Sequence, residues 1–290
     1  MAQRVAVVTD STASLPPGLA RGLGIAVVPL SVTLDSRTGA EGTDILPIDV
    51  TRALAEKRTV TTSRPSPAEF AEVYRRLLKS GARRVVSVHL SAELSGTWDS
   101  ARLAAQEFDY GVIRAVDSRS TAMALGFAVL AAARAAIAGG DVGEVQDAAV
   151  ATADRARTLV YVDTLEYLRR GGRIGAAASL VGAALAMKPL LHLRDGRILP
   201  LEKVRTTSKA LSRLVSLAAA EAGDHPVDVA VHHLAAPERA EEVAGRLRAQ
   251  IPRVEALYVS EIGAVIGAHV GPGVIGVVIA PAGRVAPPPR

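Results

Sequence analysis

Along the first half of the chain, short apolar runs rich in valine and isoleucine alternate with alanine-rich stretches whose apolar positions recur every three or four residues. The runs at 5–9, 25–34, 84–90 and 112–116 predict buried strands, and the periodic stretches at 49–57, 67–79, 96–108 and 121–138 predict helices. Strands apolar on both faces, each followed by a helix, predict a largely parallel sheet covered on both sides. Gly139 and Gly140 interrupt this pattern, and a further helix is expected over 142–155.

The texture changes after residue 157. A strand at 159–162 meets a short helix ending in Arg169-Arg170-Gly171-Gly172, and a small-residue helix is expected over 176–186. The turn dipeptide Asp195-Gly196 between apolar runs at 189–194 and 197–201 predicts a hairpin. Helices at 208–222 and 237–250 separate strands at 227–232 and 255–259, and a last strand is expected at 274–280. The expectation is a two-domain α/β protein: an N-terminal domain over 1–155 with a mostly parallel sheet, and a second α/β domain with a mixed sheet over 156–283. A cleft lies between them, and the proline-rich end, 284–290, is expected to be a disordered tail.

Composition narrows the function. Hydrophobic residues make up 49% of 290 and charged residues 22%, enough for a sizeable core. Aromatics are only 3%, so any internal cavity is expected to be aliphatic-lined. The absence of cysteine excludes disulfides, thiolate metal sites and cysteine nucleophiles. Lys+Arg exceeds Asp+Glu, 34 against 29, but the positive charges are scattered and stacking aromatics are scarce, which argues against nucleic acid as a partner. The longest apolar helical run, 122–133, ends at Arg134, short of the roughly 20 residues a membrane span needs. With no leader pattern before the first strand, a cytoplasmic protein without a transmembrane segment is expected, and transient contact with a membrane surface stays open.

Four segments carry candidate chemistry. In 263–276 a single imidazole, His269, stands among glycines and apolar residues: it is either a packed histidine or one presented to a ligand. Thr9 to Pro16 follows the first strand, and there Asp10, Ser11 or Ser14 would serve as a helix cap. At 61–67, Ser66 and Pro67 read as N-cap and first helical residue, which leaves Thr62 and Ser63 free. At 91–97, Ser95 stands at the mouth of a helix, as a cap or as an anion donor. Three hydroxyl-rich loops at the strand ends of one parallel sheet would converge on one small-anion site. Ser95 with His269 and Asp10 is a conceivable acyl-transfer set, although no G-x-S-x-G elbow surrounds Ser95. Metal-ligand patterns and nucleotide-binding glycine loops are absent, so no metal or cofactor is expected.

Taken in order, Asp10-Ser11-Thr12, the run from Thr62 to Pro67, Leu94-Ser95-Gly96-Thr97, the run from Leu165 to Gly175, Lys203-Val204-Arg205-Thr206 and the run from Gly267 to Gly273 resemble the DegV family over nearly the whole chain. The resemblance implies a two-domain fatty-acid-binding protein with the acyl chain buried and its carboxylate at the domain interface. It also implies a place as the lipid-binding subunit of a fatty acid kinase: a separate ATP-binding subunit phosphorylates the carboxylate, and the acyl-phosphate feeds phospholipid synthesis. On that basis Thr62 and Ser95 match carboxylate hydrogen-bond donors, and His269 matches the imidazole beside the head group. Arg173 and Arg205 match arginines linked to phosphoryl transfer or kinase docking, tasks that suit a permanently charged, bidentate guanidinium. Two departures stand out: Arg64 replaces the glutamine of a Thr-Ser-Gln-Pro pattern, and Ala92 replaces the second serine of a Ser-Ser pair. The rival readings are a serine-dependent acyl hydrolase using Ser95 and His269, and a sugar- or phosphate-binding regulatory module, which would need a polar pocket.

Overall fold

The computed structural model describes residues 5–180 and 187–283. The first half runs β1 (Val5–Asp10), a 3-10 turn, α1 (Leu19–Gly22), β2 (Ala26–Val28), β3 (Ser31–Leu34), β4 (Arg37–Ala40), α2 (Pro47–Ala55), β5 (Val60–Ser63), α3 (Pro67–Lys79), β6 (Arg84–His89), α4 (Thr97–Ala105), β7 (Ile113–Asp117), α5 (Ala122–Ile137) and α6 (Val142–Arg155). The second half continues with β8 (Arg157–Tyr161), α7 (Glu166–Arg170), a 3-10 segment (Gly175–Leu180), β9 (Lys188–Arg194), β10 (Arg197–Val204), α8 (Thr207–Ala222), β11 (Val227–His233), α9 (Pro237–Gln250), β12 (Val254–Glu261), α10 (Ala264–Val270) and β13 (Ile275–Pro281).

The α/β reading holds, with a parallel first sheet ordered β2-β1-β6-β7 and a mixed second sheet ordered β10-β9-β8-β13-β11-β12. In the second sheet only β11 and β12 run parallel. Alternation along β1 sends Val5 and Val7 to the core under α5, and Ala6 and Val8 to the core that holds Phe70 and Tyr74 of α3. Helix α5 is buried nearly all round because it lies between the two sheets, in one core with Val86 of β6 and with Val278 and Ala280 of β13. A helix apolar on every face has to be enclosed in this way. The second sheet covers its other face with α8 and α9, through Leu159, Val229, Val231 and Val277.

The structure departs from the sequence expectations at four places. The run at 25–34 is two strands, split at Pro29: β2 joins the parallel sheet, whereas β3 joins a third, antiparallel sheet ordered β4-β3-β5. Proline cannot donate to a ladder, so the chain changes sheets there. The hydroxyl segment at 61–63 belongs to β5 of that small sheet and is not a loop of the parallel one. The helix expected over 176–186 is 3-10 over Gly175–Leu180, and 181–186, like the tail 284–290, lies outside the described residues. The glycine-rich segment around His269 contains helix α10, because its glycines stand at the ends and on the packed face. The expected hairpin forms, with Asp195 and Gly196 both at positive φ (52° and 79°).

Helix α3 starts as expected: Ser66 Oγ accepts from the Glu69 amide at 3.3 Å while the Glu69 carboxylate accepts from the Ser66 amide at 2.7 Å. Ser66→Ala should lower stability by about 1 kcal/mol in urea denaturation. No change in midpoint would show that the box is not stabilising this helix.

Candidate functional site

A cavity of about 420 Å³ lies between the second sheet, the small sheet and α10. Because β8 pairs antiparallel with β9 and β13, its sheet wall is made of cross-strand rows: Thr158 with Leu193 and Val278, then Val160 with Leu191 and Gly276, then Val162 with Val274 beyond the ladder. Rows two residues apart stand about 6.6 Å apart, so the wall forms a short tunnel along β8. Gly276 leaves the middle row open where its missing Cβ would approach His232. Leu30, Leu90, Leu94, Val265 and Ile266 complete an aliphatic lining, as the scarcity of aromatics suggests.

Polar groups gather at one end of this tunnel. Helix α10 packs Ala264, Val265 and Ala268 into the core of the small sheet with Val32, Ile45 and Val50. That packing carries His269 over β5, where its Nε2 lies 2.8 Å from Thr62 Oγ1. The other ring nitrogen, Nδ1, is buried without a partner and faces Gly171, where any Cβ would collide with the ring. Burial, reinforced by the Arg173 charge, lowers the His269 pKa to about 4, so the ring is neutral at pH 7 and carries one N–H. A buried orphan N–H is a rarer and costlier defect than a bare acceptor, which assigns the proton to Nε2. His269 then donates to Thr62 Oγ1, and the Thr62 hydrogen is free to point at a ligand.

Ser95 also lines the cavity, its Oγ 2.9 Å from Thr97 Oγ1, while Gly96 rather than Ser95 occupies the N-cap of α4. The exposed Arg64 side chain crosses Gly96, which places this departure at the rim of the polar end of the tunnel. Arg173 donates from Nε to the Leu94 carbonyl (3.1 Å) and from Nη1 to the Gly171 carbonyl (2.6 Å). Among the described residues it forms no ion pair. A charged group fixed by carbonyls alone leaves its charge available to an anion.

The structure does not assemble the set of Ser95, His269 and Asp10. Asp10 is fully buried and pairs with a different histidine, its Oδ2 2.9 Å from His89 Nδ1, while Oδ1 accepts from the Thr12 amide and hydroxyl. A relay continues below: the Tyr74 hydroxyl donates to Ser87 Oγ, which lies 2.6 Å from His89 Nε2. These groups hold the turn that presents Thr12 to the tunnel. The expectation of three loops on one sheet edge is likewise corrected: Thr12 and Ser95 follow strands of the parallel sheet, whereas Thr62 arrives on β5. Arg205 is exposed at the end of β10 and takes no part in the tunnel lining, nor does Ala92. The neighbouring Ser91 instead donates to the Gly196 carbonyl and ties down the hairpin.

Sequence reasoning missed Glu41. It is buried, accepts from the Val265 amide at 2.7 Å and so pins the start of α10, and burial raises its pKa. Gly263 is required beside it, because a Cβ there would strike the carboxyl. No spacing in the chain links residues 41 and 265. His89 was legible in principle, as a polar residue ending a buried strand next to the strand that ends in Asp10. Among the described residues no helix is long and apolar enough to cross a membrane, and no cluster of three or more His, Cys, Asp or Glu could hold a metal.

An α/β protein with an aliphatic tunnel closed by hydroxyls, an imidazole and a guanidinium is the class this fold and site define. The family model described as "Uncharacterised protein, DegV family" matches residues 4–282. The chain belongs to the DegV family. It is 58% identical over 279 residues to a DegV domain-containing protein of Streptomyces coelicolor, covering 96% of this chain and 99% of the relative. A solved DegV family protein from Thermus thermophilus, described as fatty acid binding, superimposes with a TM-score of 0.92 at 35% identity, over 96% of this chain and all (100%) of the other. A Bacillus subtilis DegV, described as a fatty acid binding protein, superimposes with a TM-score of 0.88 at 32% identity, over 97% and 100%.

Burial also holds His232 near pKa 4, through its place in the second sheet against α5. Both rings are ordinarily protonated below about pH 6.5. The unfolded chain therefore takes up protons before the folded one, and the stability these rings contribute is present above about pH 6.5 and lost as pH falls towards 4. In urea denaturation of lipid-free protein, His269→Gln should show a shallower loss of stability between those pH values than the parent. Parallel pH profiles would contradict a neutral His269.

Proposed function

We propose that this chain binds a long-chain fatty acid in the tunnel and holds its carboxylate at Thr62 and Ser95, beside His269, which orients the Thr62 hydroxyl. The observation that carries this reading is the pairing of a largely aliphatic cavity of about 420 Å³ with a cluster of donors at one end, beside a guanidinium that pairs with no carboxylate among the described residues. That volume falls in the range of small-molecule sites. An amphiphile with one anionic end matches it, and the fatty-acid-binding descriptions of the Thermus and Bacillus proteins support it. The aliphatic lining disfavours the sugar- or phosphate-binding reading, and the pairing of Asp10 with His89 removes the orienting acid that a hydrolase would need.

The energetics divide the labour. Burying about 14 methylenes contributes on the order of 11 kcal/mol before association costs, and each hydrogen bond to the carboxylate adds about 1.5 to 3 kcal/mol. The tail sets affinity, and the head-group residues set orientation.

We further infer that the chain is the substrate-presenting subunit of a two-component system rather than an enzyme by itself. A separate ATP-binding kinase subunit would supply the phosphoryl group. A carboxylate oxygen attacks the γ-phosphorus, the bond to the β-phosphate oxygen breaks, and ADP leaves as acyl-phosphate forms. Arg173, beside the head group, is suited to the phosphoryl oxygens, and exposed Arg205 to docking the kinase.

Organic extraction of purified protein followed by mass spectrometry should recover a long-chain fatty acid in near-stoichiometric amount. Ser95→Ala and His269→Ala should still carry lipid yet lose at least about tenfold in acyl-phosphate formation with the ATP-binding subunit. Wild-type phosphorylation rates in both variants would overturn the presenting role. Labelling of Ser95 by a fluorophosphonate would favour the hydrolase instead.

A further inference from the structure

The Ser95 side chain makes no hydrogen bond of its own to the second half of the chain. Among the described residues its hydroxyl meets only Thr97 Oγ1, two positions on in the same segment. The place of Ser95 is therefore set by the turn before it. That turn opens at Ser91, whose carbonyl accepts from the amides of both Leu94 (3.0 Å) and Ser95 (3.1 Å).

Ser91 is fully buried, and each of its polar atoms is engaged. Its amide donates to the Ser120 carbonyl at 2.8 Å. Its Oγ accepts from the Glu93 amide (3.2 Å), inside the turn, and donates to the Gly196 carbonyl (2.8 Å), 105 positions away at the tip of the β9–β10 hairpin. One hydroxyl thus joins the turn that carries Ser95 to a hairpin whose arms line the tunnel with Leu191, Leu193 and Ile198. The fit is close, since a Cβ on Gly196 would stand 2.5 Å from Ser91 Oγ. The Arg197–Glu93 ion pair (3.0 Å) spans the same gap, but it is exposed and screened by water. A buried hydrogen bond whose acceptor has no solvent to turn to is the stronger tie.

We propose that Ser91 is a positioning residue for the head group: pinned to the Gly196 carbonyl, it fixes the turn that aims Ser95 at the carboxylate. This inference rests on the fatty-acid reading above and adds to it a residue that does not line the tunnel. Without the Ser91 hydroxyl, the Gly196 carbonyl and the Glu93 amide lose this partner and the turn relaxes. Ser95 then moves, while the aliphatic lining that grips the tail stays in place.

The test uses full-length protein loaded with hexadecanoic acid carrying carbon-13 at its carboxyl, titrated by NMR. A hydrogen bond to the charged form favours that form, so Ser95→Ala should raise the titration midpoint of the bound carboxyl by about one pH unit. Ser91→Ala should raise it by at least about half a unit in the same direction, and should add less than about 0.2 unit in the Ser95→Ala background. Gly196→Ala leaves Ser91 itself untouched but drives a methyl group into its Oγ, and should give the same upward shift. The parent's midpoint in both Ser91→Ala and Gly196→Ala, or an undiminished Ser91→Ala shift in the Ser95→Ala background, would overturn the proposal. An unmoved midpoint in Ser95→Ala with lipid still bound would take Ser95 away from the head group, and this inference with it. If no bound carboxyl resonance appears at all, the fatty-acid reading itself falls.

Discussion

The hydrogen bond between His269 Nε2 and Thr62 Oγ1 joins residues 207 positions apart, and the site depends on it. It exists because α10 is packed into a small sheet formed by the early part of the chain, with buried Glu41 holding the start of the helix. Gly171 supplies the seat beneath the ring, and Arg173, two residues on, reaches back to the Leu94 carbonyl. Three remote segments thus meet around one neutral imidazole. Neutrality matters physically: a protonated ring at the mouth of an apolar tunnel would pay heavily for desolvation, whereas a neutral ring holds Thr62 in a donating orientation at little cost.

The tunnel itself follows from a sheet with two different coverings. One face of the second sheet is filled by α8 and α9, and part of the other by α5, which is apolar enough to bridge two sheets. Beyond α5, among the described residues, no large side chain fills the space over β8, β9 and β13, and Gly276 deepens it. Protein interiors are close-packed, so an aliphatic space of this size at the centre of a fold is a feature that packing would otherwise remove. Its lining offers contact area without direction, and the polar cluster adds direction without much area. This division fits a protein that must hold a chain firmly and leave one end accessible.

Much of this was legible in the sequence. The alternation of strands and helices identified the parallel sheet, and Asp195-Gly196 fixed the hairpin, because those signals are local. The rest depended on tertiary context. The run at 25–34 reads as one strand, and only pairing partners reveal that Pro29 divides two sheets. The glycines around His269 left open whether the ring is packed or presented to a ligand, and in the structure they permit close packing of a short helix against Leu234 and Tyr167. Thr62, Ser95 and His269 were singled out as free hydroxyls and an isolated ring, and the structure brings all three to one cavity. Glu41, Gly171 and the Asp10–His89 pair escaped notice because their partners are distant in the chain.

The most direct test is the orientation of a bound acid. In a crystal of the protein loaded with 16-bromohexadecanoic acid, anomalous scattering locates the bromine and difference density locates the carboxylate. The account places the carboxylate within hydrogen-bond reach of Thr62 and Ser95 and the bromine near Thr158 and Leu193. A bromine beside His269, or a tunnel closed around its own side chains with the acid bound elsewhere, would contradict it.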